Sequence, residues 1–111
     1  MNENSIIQYW KANPPQGDYH LFSNYQALAA FHAQHNANAS PRKSPVYGDE
    51  VYPLEDYVGY LFPDEKAVYL LWIEPNAYEH VYLPNEFALI AEFEVVIENE
   101  DGGIYQLRPI R

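Results

Sequence analysis

The chain has 111 residues, which is the length of one domain, so residues 1–111 are predicted to form a single domain. Its formal net charge of −10 argues against direct contact with nucleic acid or an anionic membrane, because both attract basic surfaces. It contains no cysteine, which excludes disulfides and thiolate metal sites. No apolar run approaches the roughly 18 residues of a membrane span, and no secretory signal is evident. We therefore expect a cytoplasmic protein.

The beginning of the chain predicts a short helix. Asn4 or Ser5 is a suitable N-cap, and apolar residues follow as far as Trp10. The Asn13-Pro-Pro sequence ends this helix, because proline cannot continue a helix and disfavours helical geometry in the residue before it.

A second helix is predicted over residues 24–35, where apolar side chains recur at helical intervals. Ser23 and Gln26, just before and within it, have the spacing of a capping box. Residues 36–48 contain prolines and small polar side chains, which predict a surface loop carrying Arg42 and Lys43.

The middle of the chain mixes helical and extended patterns. Residues 54–61 follow a proline and predict a short helix. Residues 67–73 are rich in β-branched and aromatic side chains and predict a buried strand. Residues 78–83 are a weaker candidate for a strand.

The end of the chain predicts a β-hairpin. Residues 89–98 alternate between two faces, residues 99–103 form a turn signal with two glycines, and residues 104–107 are the returning strand. Helices first and strands later predict an α+β fold, in which N-terminal helices precede a small, mostly antiparallel sheet that ends in this hairpin.

Negative charge is confined to the second half of the chain. From Asp49 to Asp101 there are fourteen acids and one base, Lys66, whereas the remaining residues carry more bases than acids. Glu92, Glu94 and Glu98 are predicted to line one face of the hairpin strand. The candidate partner-binding residues are Asp49, Glu50, Glu55, Asp56, Asp64, Glu65, Glu92, Glu94 and Glu98.

Seven tyrosines lie between Tyr47 and Tyr82, among these acids. Carboxylates interleaved with tyrosines are suited to a partner rich in arginine and lysine, through charge-assisted hydrogen bonds and cation–π contacts. The simpler alternative is that the acids keep the chain soluble and that many of the tyrosines belong to the core.

In its size, its net charge, its clustered carboxylates between Asp49 and Asp101 and its lack of cysteine, the chain resembles the small acidic bacterial proteins that act as DNA mimics. Some of these proteins bind the histone-like protein HU. The resemblance implies a protein that occupies the basic DNA-binding surface of its partner and competes with DNA. Arg42, Lys43, Arg108 and Arg111 depart from an all-negative surface, so a local patch of mimicry is expected instead of a full duplex imitation.

Two further classes of function compete with this one. An immunity protein that neutralises a toxic nuclease has the same small size and acidic charge. A small enzyme or ligand-binding domain would be indicated by a deep pocket containing His20, His80 and a carboxylate. His32 and His35 share a helix face as two metal ligands do, but no third ligand is specified. We therefore predict neither catalysis, nor a cofactor, nor a metal site.

Overall fold

The computed structural model describes residues 4–42, 53–76 and 81–110. Its helices are Ser5–Ala12 (α1), Gln26–Ala33 (α2) and Val58–Leu61 (α3), with 3₁₀ segments at Leu54–Tyr57 and Pro84–Leu89. Its strands are Tyr19–Ser23 (β1), Asn38–Ala39 (β2), Ala67–Ile73 (β3), Ala91–Asn99 (β4) and Gly102–Pro109 (β5). The predicted α+β class and C-terminal hairpin are confirmed.

The strands form one sheet in the order β2-β1-β3-β5-β4. The sheet is mixed: β1 pairs in parallel with β2 and β3, whereas β5 pairs antiparallel with β3 and β4. The parallel half arises because β1, which the sequence analysis did not predict, enters the sheet beside β3.

The predicted N-terminal helix is confirmed as α1, and its cap is Asn4. The Asn4 side-chain oxygen accepts hydrogen bonds from the backbone N–H groups of Ile6 (2.9 Å) and Ile7 (3.3 Å). The second predicted helix is present but shorter, as α2. Its predicted capping box is absent; instead the Ser23 hydroxyl accepts from the N–H of Tyr25, at 3.0 Å.

The elements predicted for residues 36–83 are present in part. The short helix over residues 54–61 is a 3₁₀ turn continued by α3, and the buried strand over residues 67–73 is β3. The predicted loop over residues 36–48 contains the short strand β2, and its later part lies outside the described residues. Half of the candidate strand over residues 78–83 also lies outside them; in the described half, Val81 forms only an isolated bridge with Arg42.

Apolar side chains pack on both faces of the sheet. Helices α1 and α2 cover one face, which we call the helix face, where Ile6 and Trp10 pack with Leu21, Leu71 and Ile104. On the opposite face a second cluster is built under the 3₁₀ segments and α3; its buried members include Phe22, Leu54, Leu61, Leu70, Trp72, Phe87, Tyr105 and Leu107. Because successive side chains of a strand point to opposite faces of the sheet, β1, β3 and β5 each contribute residues to both clusters.

Strand β4 contains a β-bulge that the sequence pattern did not reveal. Val95 pairs with Tyr105 and Ile97 pairs with Ile104, so Val96 is an extra residue on β4. Because one extra residue exchanges the two faces of a strand, every β4 side chain after the bulge points to the side opposite from its predicted one.

Candidate functional site

A groove of about 770 Å³ lies where the first residues of β3 and β4 meet the end of β5. Three of the predicted carboxylates line it: Asp64, Glu65 and Glu92. We call it the acidic groove. Its remaining lining residues are Phe62, Lys66, Ala67, Gln106, Leu107, Arg108, Pro109 and Ile110.

Strand pairing brings these distant segments together. Glu92 is opposite Arg108 in the β4–β5 ladder, and Val68 is opposite Leu107 in the β3–β5 ladder. The residues that lead into β3, Asp64 and Glu65, therefore arrive at the same end of the sheet as Glu92. None of the residues of helix α1 lines the groove.

Asp64 is held in place by two neighbours. Its carboxylate accepts from the backbone N–H of Lys66 at 2.8 Å and contacts the ring Nε2 of His20 at 2.9 Å. The bond from the Lys66 N–H is the largest influence and lowers the pKa of Asp64 below its usual range. Desolvation, next in size, opposes it, and the contact with His20 and the charges of His20 and Lys66 lower the pKa further. The negatively charged form of Asp64 is therefore favoured by its surroundings.

Arg108 partly neutralises the adjoining strand surface. Its guanidinium donates to Glu94 at 2.8 Å and to the side-chain oxygen of Gln106 at 3.1 Å. Glu65 and Glu92, in contrast, are exposed and have no ion pair or side-chain hydrogen bond within the described part of the chain. Of the carboxylates that line the groove, these two can therefore be reached by a basic partner without breaking an existing bond.

The prediction that Glu98 shares a face with Glu92 and Glu94 is wrong. Glu92 and Glu94 lie on the helix face, whereas Glu98 accepts a 2.8 Å hydrogen bond from the hydroxyl of Tyr105, whose ring belongs to the cluster on the opposite face. The bulge at Val96 causes this reversal.

Two further predicted residues that the structure describes, Glu55 and Asp56, do not join the groove. Glu55 and Asp56 are exposed on the 3₁₀ turn before α3 and are not among the lining residues. Asp49 and Glu50 lie outside the described residues. The structure thus assembles part of the predicted set, Asp64, Glu65 and Glu92, with Glu94 adjacent on the same strand face.

None of the tyrosines in the described regions lines the acidic groove. Tyr60 is partly exposed, but its hydroxyl donates to the backbone carbonyl of Ala39 at 2.7 Å. Tyr69 packs edge-to-face against Trp10 and Tyr19 beneath α1. Tyr47, Tyr52 and Tyr78 lie outside the described residues. The expected interleaving of acids with tyrosines is therefore not found in this groove.

Sequence reasoning missed a second acidic cleft, on the opposite face. Glu74 accepts from the indole N–H of Trp72 at 2.8 Å, and it lines this cleft together with Glu98 and Tyr105. Burial of Tyr105 raises its phenol pKa above the usual range, and the hydrogen bond to Glu98 and the charges of Glu98 and Glu74 raise it further. The position of Glu74, directly after a buried strand, was the available signal.

The histidines form no metal site in the described regions, where no group of three potential ligands occurs. The His35 ring stacks on Tyr19 with centroids 4.1 Å apart, and its Nδ1–H donates to the backbone carbonyl of Asn36. His20 contacts a carboxylate, as an enzyme-like pocket would require, but His80 lies outside the described residues.

The chain has no recognisable similarity to known proteins. The chain matches no protein-family model, and it has no significant similarity to a curated protein or to a solved structure. In the described part of the chain, no helix is both long and apolar enough to cross a membrane.

Proposed function

We propose that this protein is an acidic protein-binding module that acts as a local DNA mimic. In this proposal the acidic groove occupies the basic DNA-binding surface of a partner such as a histone-like nucleoid protein. The observation that carries the proposal is the convergence of Asp64 and Glu65 with Glu92 in one groove, although these residues are far apart in sequence.

The electrostatics of the groove support a basic partner. Glu65 and Glu92 are exposed carboxylates that form no pair with a described residue, so they can accept charge-assisted bonds from arginine or lysine. Asp64 adds a charge whose geometry is already fixed by Lys66 and His20. Lys66 and Arg108 interrupt the negative surface, so the mimicry is confined to a patch.

The proposal is tested by titrating the protein with purified histone-like protein HU, with and without duplex DNA. We expect saturable binding, displacement by DNA, and an affinity that falls about tenfold or more between about 50 and 200 mM salt, because screening weakens contacts between exposed charges. Absence of binding at low salt, or binding that is insensitive to salt and to DNA, would contradict the proposal.

Two charge-reversal variants distinguish the effect of the groove on binding from the effect of net charge. Glu65→Lys combined with Glu92→Lys changes the groove, whereas Glu55→Lys combined with Asp56→Lys changes net charge equally at exposed positions that do not line it. We expect the groove variant to lose about 10–100-fold in affinity, mainly through slower association, and the control to lose less than about threefold. Equal losses would mean that overall charge, not the groove, drives binding.

A nuclease whose basic active site is blocked would use the same chemistry. The same titration is therefore repeated with a bacterial nuclease and its activity on DNA as readout. Inhibition of the nuclease by the protein, without binding to HU, would replace DNA mimicry by the immunity function.

A further inference from the structure

Strand β4 forms one edge of the sheet and is long for an edge strand. It has nine residues and ends the strand order, and no strand in the described regions pairs with its outer side. Six of its nine side chains are exposed, including Val95 at 50% and Val96 at 41%. Such an edge presents unpaired backbone groups to solvent. Its glutamates and the bulge at Val96 are features by which natural proteins limit pairing between identical edges.

The backbone groups on this outer side can be identified from neighbouring bonds. The N–H of Glu74 donates to the carbonyl of Asp101 at 2.9 Å, whereas the N–H and C=O of Ile73 bond to the Asn24 side chain, away from β5. Along an antiparallel strand, the backbone groups of successive residues point alternately to one neighbouring strand and to the other. Ile104, Gln106 and Arg108 are therefore the β5 residues whose backbone groups bond to β4.

The same alternation applies to β4. Glu92 and Glu94 are opposite Arg108 and Gln106, so their backbone groups bond to β5. The N–H and C=O groups of Ala91, Phe93 and Val95 consequently point outward. Ala91 is buried, at 3% exposure, so the accessible outward groups are those of Phe93 and Val95, whose N–H groups bond to no loop or turn of the described chain. Beyond Val95 the bulge interrupts the regular spacing.

The side chains along this edge define what can bind to it. Glu92 and Glu94 project from one face, and the partly buried Phe93 and half-exposed Val95 project from the other. A strand added to this edge would place alternate residues beside the two glutamates, and the residues between them beside Phe93 and Val95.

We propose that the outer edge of β4, from Glu92 to Val95, binds an extended segment of a protein partner in which lysine or arginine alternates with apolar residues. This inference rests on the proposed function and deepens it, because Glu92 lines the acidic groove and also belongs to this edge. Backbone hydrogen bonds would supply affinity. Glu92 would select a basic residue directly, whereas Glu94 already accepts from Arg108 at 2.8 Å and would have to share its carboxylate.

A second copy of this chain fits the edge less well. Pairing two β4 strands would bring glutamates at positions 92 and 94 of one copy close to those of the other, and like charges on paired strands are destabilising. The same carboxylates that disfavour self-pairing attract a basic segment, so charge favours the heterologous partner.

The test uses a synthetic peptide of alternating lysine and valine, with a control peptide of the same composition in which the lysines are contiguous. Binding is followed by hydrogen exchange of the backbone amides in the whole protein. We expect slower exchange, by about tenfold, at Phe93 and Val95, with little change at Glu92 and Glu94, whose amides already bond to β5.

Two variants sharpen this test. Val95→Pro removes an outward N–H, and proline is tolerated on the outer side of an edge strand, whereas Val95→Thr keeps the N–H and the branched side chain. We expect the proline variant to lose about tenfold in peptide affinity relative to the threonine variant. Should the proline variant fail to fold, Glu92→Lys combined with Glu94→Lys must reverse the preference from the lysine peptide to a glutamate–valine peptide.

The outcomes distinguish this inference from the proposed function. Equal binding of the alternating and contiguous peptides, or equal affinity of the two Val95 variants, would overturn strand addition while leaving binding to HU unaffected. Self-association that Val95→Pro abolishes and the peptide does not displace would assign the edge to a second copy, and would overturn the inference. Loss of binding to HU alone would reject the proposed function and leave an edge site for basic segments.

Discussion

Asn24 bonds to both backbone groups of Ile73, and we expect its replacement by alanine to destabilise the fold strongly. Its side-chain nitrogen donates to the Ile73 carbonyl at 2.8 Å, and its side-chain oxygen accepts from the Ile73 N–H at 2.9 Å. Asn24 is 6% exposed and Ile73 is also 6% exposed, so water has little access to these groups. The amide thereby continues the bonding of β3 beyond the last residue of β1.

The cost of Asn24→Ala follows from these two bonds. Each backbone group would lose its partner in a buried position, at about 1–3 kcal/mol per group. Partial rescue by a water that enters the vacated space reduces the total, so we expect a loss of about 2–4 kcal/mol in the free energy of unfolding. For a domain of this length that corresponds to a fall of roughly 9–17 °C in Tm.

Urea unfolding followed by tryptophan fluorescence measures this loss. Asn13→Ala is the matched control, because the Asn13 amide also donates to a backbone carbonyl, that of Tyr9 at 3.2 Å, but in an exposed position. We expect the control to lose less than about 0.5 kcal/mol. A loss below about 1 kcal/mol for Asn24→Ala, or equal losses in both variants, would refute the assignment of a structural role to the buried amide.

Two further predictions concern β5. At Gly102, where φ is +130°, a Cβ would collide with the backbone carbonyl of Trp72, so we expect Gly102→Ala to lower the free energy of unfolding by about 2–4 kcal/mol. At Gly59 a Cβ would meet no atom within 4 Å, so Gly59→Ala should be neutral or slightly stabilising. Comparable unfolding midpoints for the two variants would contradict this. The pKa of Tyr105 is raised by burial and by Glu98, so the stability that its neutral phenol contributes is present below about pH 10, the unfolded value, and is lost as pH rises further. Tyr105→Phe should therefore lower the free energy of unfolding by about 1 kcal/mol at pH 7. Above about pH 10 the free energy of unfolding should fall less steeply in the variant than in the wild type, as measured by urea titration at both pH values. Equally steep falls in the two proteins would argue against Tyr105 as the origin of this pH dependence.

The sequence correctly predicted those helices, strands and turns that depend on only a few neighbouring residues. The cap at Asn4, the buried strand β3 and the hairpin around Glu100 and Asp101 are confirmed, because capping, β-branched composition and turn residues act over short distances. Strand β1 was missed: four of its five residues are buried, so it shows no polar alternation. Such a run is distinguished from other buried segments only by its neighbours in the sheet.

The candidate site was predictable only in part, for the same reason. The concentration of acids was visible in the sequence, but which of them converge depends on the pairing of β3, β5 and β4. The reversal of Glu98 depends on a single extra residue, Val96, in a run of β-branched side chains with no glycine to mark a bulge. The sequence pattern alone therefore placed Glu98 on the wrong face.

The attachment of α1 to the hairpin turn has a consequence for the order of folding. The Asn4 side chain donates to the carbonyl of Asp101 at 2.9 Å, across 97 positions in the sequence, and the N–H of Ser5 donates to the Asp101 carboxylate at 3.0 Å. During synthesis, α1 emerges from the ribosome long before its docking site exists. Until then Ile6 and Trp10 lack Ile104 as a packing partner, and an isolated helix of eight residues is marginal in water. We therefore expect the docking of α1, which also packs on Leu21 and Leu71, to be completed only after β5 has formed, and we expect its long loop closure to slow folding.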